Sequence, residues 1–85
     1  MTKSERNKEI EKMVKERIRE LGYEGKLEFD PIPNTFKRRN HFTEKEDGTG
    51  VFTGFMWQMN SLSDDELAAD IDARINEAVK YFKLK

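Results

Sequence analysis

The residues best equipped for chemistry fall on either side of Asp47-Gly48. Lys37, Arg38 and Arg39 form the single uninterrupted basic run of the chain, and His41 follows two positions later. Phe52 and Met56 lie beyond the turn. Arginine forks bind phosphate or carboxylate oxygens in pairs, and an aromatic ring beside them offers a surface on which a base can stack. These six residues therefore define a candidate ligand-binding face for an anionic, phosphate-bearing molecule. No catalytic site is expected. His41 is the sole histidine, and no nucleophile or partner carboxylate is fixed to it by spacing.

Other constellations have structural explanations. Gly48, Gly50 and Gly54 precede a strand rather than open a helix, so they do not form a phosphate-cradling nucleotide loop. Asp64, Asp65, Glu66, Asp70 and Asp72 scatter around a helix axis and lack the pattern of a calcium loop. Carboxylates in a first helical turn offset the helix dipole instead. With no cysteine in the chain, disulfides and thiolate metal sites are excluded, and a reducing cytoplasm is the expected compartment. No metal or cofactor is expected.

The elements that must position these residues follow from periodicity. Thr2 and Glu5 have capping-box spacing, and Ile10, Met13, Val14, Ile18 and Leu21 recur on one face of a helix that ends near Leu21. Gly22 suits the left-handed position after the helix, with Tyr23 packing back on Ile18. A second capping box, Ser63 with Glu66, opens the last helix, and Leu62 and Leu67 staple its start. Leu67, Ile71, Ile75, Ala78, Val79 and Phe82 form its buried stripe.

Between the helices the period drops to two. Leu27 and Phe29 alternate with Glu28 and Asp30 until Pro31 and Pro33 interrupt the strand. A second strand over roughly 36–45, a two-residue type I′ turn at Asp47-Gly48, and a third strand over roughly 49–59 complete the order. The expected fold is α+β, α-β-β-β-α, with a three-stranded antiparallel sheet and both helices packed on one face. At 85 residues this is one small domain.

A two-residue loop pairs Glu46 with Thr49, and hence Phe42 with Thr53, Asn40 with Phe55 and Arg38 with Trp57. Phe36, Phe42, Val51, Phe55, Trp57 and Met59 then face the helices. Lys37, Arg39, His41 and Thr43 share the open face with Phe52, Met56 and Gln58, and Gly54 leaves a gap opposite His41. Arg38 turns toward Trp57, its stem packing while its guanidinium reaches the rim. A three-residue loop reverses the parity and joins Phe36 and Phe42 to Phe52 and Met56. Phe52 and Met56 on an open face also imply a homo-oligomer.

The element order resembles that of the double-stranded RNA-binding domain over nearly the whole chain, at the level of topology. Where that family carries a lysine cluster at the start of its second helix, this chain has Ser63-Asp64-Asp65-Glu66, which repels phosphates. The resemblance therefore implies element order and not RNA binding.

Lys and Arg number 16 against 17 Asp and Glu, so no global charge draws the chain to nucleic acid or an anionic membrane. The charged N-terminus lacks an apolar signal region, and no apolar run approaches membrane length. Two functions fit: a non-enzymatic protein that captures a nucleotide, another phosphate-bearing small molecule or nucleic acid, and a protein-binding inhibitor or interaction module acting on a host or partner protein. Compact, charged, motif-poor chains of this kind are frequent among phage accessory proteins, and both functions suit that setting.

Overall fold

The computed structural model describes residues 2–32 and 42–84. It contains α1 (Lys3–Glu20), β1 (Leu27–Ile32), β2 (Phe42–Glu44), β3 (Gly50–Phe55), α2 (Met56–Met59) and α3 (Asp64–Phe82). The class is α+β, as the periodicity predicts.

Local signals set both long helices. The Thr2 hydroxyl accepts from the Glu5 amide at 3.1 Å while the Glu5 carboxylate accepts from the Thr2 amide. Two orphan donors at the head of α1 are thereby satisfied. At its tail the Tyr23 amide donates to the Ile18 carbonyl and the Gly22 amide to the Arg19 carbonyl, with Gly22 at φ 85°. This is the Schellman pattern. Ser63 and Glu66 repeat the box at α3. That helix ends with Lys83 in the left-handed region, at φ 55°, where a side chain crowds the backbone.

Both helices cover one face of the sheet. Ile10, Val14 and Ile18 of α1 and Leu67, Ile71, Ile75 and Ala78 of α3 are buried with Leu27, Phe29 and Phe52. Each fully buried aliphatic or aromatic side chain contributes about 1.5–3 kcal/mol. Arg6 bonds Asp64 at 2.9 Å, and Arg17 bonds both oxygens of Asp72 at 2.8 and 3.2 Å. These two clips hold α1 and α3 side by side, running in the same sense.

The sheet differs from expectation in strand direction. It is mixed, with order β1-β3-β2: β1 pairs parallel to β3, and β2 pairs antiparallel to it. The strand best suited to the middle is β3, where Gly50, Phe52, Thr53 and Gly54 are all buried. The most buried of the three strands thus takes the centre.

Pro31 does not interrupt β1. The Gly50 amide donates to the Lys26 carbonyl at 2.9 Å, and the parallel register continues to Ile32 opposite Phe55. Main-chain groups alternate in direction along a strand, so those of Glu28, Asp30 and Ile32 meet β3 while those of Leu27, Phe29 and Pro31 point off the edge. The amide hydrogen that proline lacks would have had no partner in the ladder.

The hairpin loop is one residue longer than the two-residue turn. Glu44 lies opposite Gly50 and Phe42 opposite Phe52, and the Lys45 amide bonds the Thr49 carbonyl. The Gly48 amide bonds the Lys45 carbonyl, and Gly48 has φ 92°. Asp47 is not among the residues with positive φ, which a type I′ turn demands. Its carboxylate accepts from the Thr49 amide instead, at 2.9 Å, and fixes the loop as a tight turn followed by a left-handed glycine.

Candidate functional site

The register inverts the two faces assigned to the hairpin. Phe52 is 2 % exposed and Met56 is 1 % exposed, both within the core. Neither presents a surface to a ligand, and the open apolar face on which self-association was expected disappears with them. Pairing Phe42 with Phe52 rather than with Thr53 is the cause, since a one-residue slip moves every side chain to the opposite face. Lys37, Arg38, Arg39 and His41 lie outside the described residues, as does Phe36.

Gly54 also has a different role from the expected gap. A Cβ there would lie 2.7 Å from Phe29 Cε1 and 2.8 Å from Met59 Sδ. The room left by the absent side chain is filled by the protein's own core.

The third strand stops at Phe55, and residues 56–59 turn into α2. Met56 and Met59 are spaced for one face of a helix and are both buried. Trp57, between them, points outward and is 55 % exposed. Its ring lies 6.3 Å from that of Phe55 in a tilted arrangement. Both were assigned to the core by alternation, and the signal that would have corrected this is the Met56-to-Met59 spacing. The other large apolar residues exposed among those described are Leu21 and Tyr81. The Tyr81 ring stacks on Phe42 at 4.4 Å.

Phe55 and Trp57 stand at the C-terminal end of β3. Ile32, the last residue of β1, is paired with Phe55, and Phe42, the first of β2, is paired with Phe52. Ile32 and Phe42, the described residues on either side of positions 33–41, therefore belong to strands on opposite sides of β3.

Some charged groups elsewhere pair with one another. Glu28 holds Lys45 at 3.0 Å, which raises the lysine pKa. The hydrogen bond from the Thr49 amide lowers that of Asp47, and the Ser63 amide lowers that of Glu66. Arg74 pairs with Asp70 at 2.6 Å along α3. Among the described residues there is no group of three or more metal-ligating side chains, and no helix is long and apolar enough to cross a membrane.

A small α+β domain with an exposed tryptophan at one end of its sheet is the class these features define. No family model, no curated protein and no solved structure matches the chain.

Proposed function

We propose that the protein is a non-enzymatic binder of a nucleotide or other phosphate-bearing ligand, with Trp57 as the stacking surface and Lys37, Arg38, Arg39 and His41 as the source of positive charge. The observation that carries this reading is the 55 % exposure of Trp57 just past Phe55, the residue paired with Ile32, after which the chain leads into the basic run. An indole face is a sequence-tolerant platform for a base, and adjacent guanidinium groups supply phosphate contacts. Phe52 and Met56 are replaced in this role by Trp57 with Phe55 at its side.

Titration of the purified chain with nucleotides and short single-stranded oligonucleotides tests the reading. Binding should quench tryptophan fluorescence, weaken as salt rises, and be lost in Trp57→Ala and in Arg39→Glu, with Trp57→Ala leaving the melting temperature nearly unchanged. Absence of both quenching and a calorimetric signal at near-millimolar ligand would remove it. The alternative function, an inhibitor or module acting on a partner protein, predicts stoichiometric capture of one protein that nucleotides do not displace.

A further inference from the structure

Residues 48–63 hold no charged side chain, although 39 % of the chain is charged. Trp57 stands within this stretch, so the polar side chains nearest to it in sequence are neutral: the amides of Gln58 and Asn60 and the hydroxyls of Ser61 and Ser63. Such groups match the edge of a base rather than a phosphate. Most of them are spent or undirected. Ser61 Oγ donates to the Gln58 carbonyl at 2.7 Å, and Ser63 Oγ accepts from the Glu66 amide. The exposed Gln58 side chain makes no hydrogen bond among the described residues, so it can turn.

Asn60 is the exception. Its Nδ2 donates to Asn7 Oδ1 of α1 at 3.0 Å, which fixes which way round the amide lies. Asn60 Oδ1 accepts no hydrogen bond among the described residues, and none of their side-chain oxygens or nitrogens is both buried and unbonded, so this oxygen is open to solvent. Asn60 continues the turn of α2 in the right-handed helical region, at φ -73° and ψ -8°. Residues three apart on a helix are neighbours, with Cβ atoms about 5–6 Å apart, so Asn60 flanks Trp57. Burial of Met56 and Met59 holds the turn that carries both.

We propose that Asn60 selects the base at the Trp57 site, its Oδ1 accepting from the exocyclic amino group of a stacked adenine or cytosine, with Asn7 as the positioning residue. The assignment rests on the nucleotide-binding reading of Trp57 and narrows it to ligands whose base carries such an amine. Adenine and cytosine present an N–H donor where hypoxanthine and uracil present a carbonyl oxygen. Two oxygens set against each other leave both without a donor, and a site built around a hydrogen bond rejects the ligand that lacks it. Turning the amide over to meet that carbonyl would set the Asn60 oxygen against Asn7 Oδ1.

Calorimetric titration of the whole chain with two matched pairs tests this proposal. AMP against IMP, and CMP against UMP, replace the amine by a carbonyl oxygen while size and stacking surface stay alike. AMP and CMP should each bind about fivefold or more tightly than their partners. Asn60→Ala should bring the members of each pair together, and Asn7→Ala should narrow the gap. Asn7→Asp, which still accepts from Asn60 Nδ2, should keep it. Each readout is a ratio within one variant, so a general loss of stability does not mimic it. Equal or inverted affinity within either pair overturns the role of Asn60 and leaves Trp57 as an unselective platform. A preference that survives in Asn60→Ala, or is untouched in Asn7→Ala, overturns it too. Absence of binding by all four nucleotides overturns the nucleotide reading and the role of Asn60 together.

Discussion

Glu28 on one edge strand and Lys45, just past the other, form an ion pair of 3.0 Å that crosses the central strand over Val51. It ties together two segments that do not touch in the ladder. Both side chains are about half exposed, so solvent and salt screen the pair and its contribution to stability is small.

The pair predicts a specific pH response. Lys45 has a raised folded pKa, so its contribution is fully present below the ordinary lysine range and is lost as pH rises through the raised value. The melting temperature of Glu28→Gln should lie slightly below that of the parent at neutral pH. The difference should vanish at strongly alkaline pH, and also in 1 M salt, where the Debye length falls to about 3 Å. A gap that persists in both conditions would show that Glu28 acts through packing.

Capping at Ser63 predicts a stability loss and a titration shift together. Ser63→Ala removes the acceptor of the Glu66 amide, and unfolding in urea should lose about 1 kcal/mol. Glu66 has a lowered folded pKa chiefly because its carboxylate accepts from the Ser63 amide. Its contribution is therefore present above the usual glutamate range and lost as pH falls through the lowered value. Ser63→Ala keeps that amide and removes only the hydroxyl, so carbon-detected titration of the Glu66 carboxyl should show its midpoint rising by only part of the lowering.

Close packing at Gly54 predicts intolerance of even one carbon. A Cβ would sit under 3.0 Å from the Phe29 ring and Met59 sulfur, neither of which can retreat from the core without disturbing its neighbours. Gly54→Ala should destabilise by about 1–3 kcal/mol, and Phe29→Leu in the same chain should recover part of that loss. If Gly54→Ala unfolded at the parent urea concentration, the contact of β1, β3 and α2 described above would be wrong.

Lys83 predicts a gain. Its left-handed conformation, with the Leu84 amide bonded to the Val79 carbonyl, is the geometry glycine prefers at a helix end. Lys83→Gly should stabilise by roughly 1 kcal/mol, because glycine avoids the steric cost of φ 55°. The expected readout is a rise in melting temperature with an unchanged circular dichroism spectrum.

Trp57 is the sole tryptophan, so fluorescence reports its surroundings directly. Half-exposed on α2, it should emit at long wavelength in the folded protein, be readily quenched by acrylamide, and shift little on urea unfolding. Blue-shifted, quencher-resistant emission would place the indole in the core and remove it from the proposed ligand site.

Features with local causes are legible in the residues alone. Thr2 with Glu5, Ser63 with Glu66, and Gly22 with Tyr23 set the helix ends through bonds that span five residues or fewer, and the stripes from Ile10 to Ile18 and Leu67 to Ala78 marked the faces to be buried. The element order and α+β class follow from these and from the change of period between them. Features that depend on partners distant in the chain emerge only when the elements pack. The strand order β1-β3-β2 puts β3, the most buried strand, between the other two. The faces of the hairpin turned on a single loop residue: Asp47 bonds the Thr49 amide and leaves Gly48 to take the positive φ, which moves Phe52 inward. Trp57 became exposed because Met56 and Met59 are buried together only if residues 56–59 leave the strand for a helical turn. Alternation could not foresee that, since the core that receives the two methionines is assembled by α1, α3 and the sheet together.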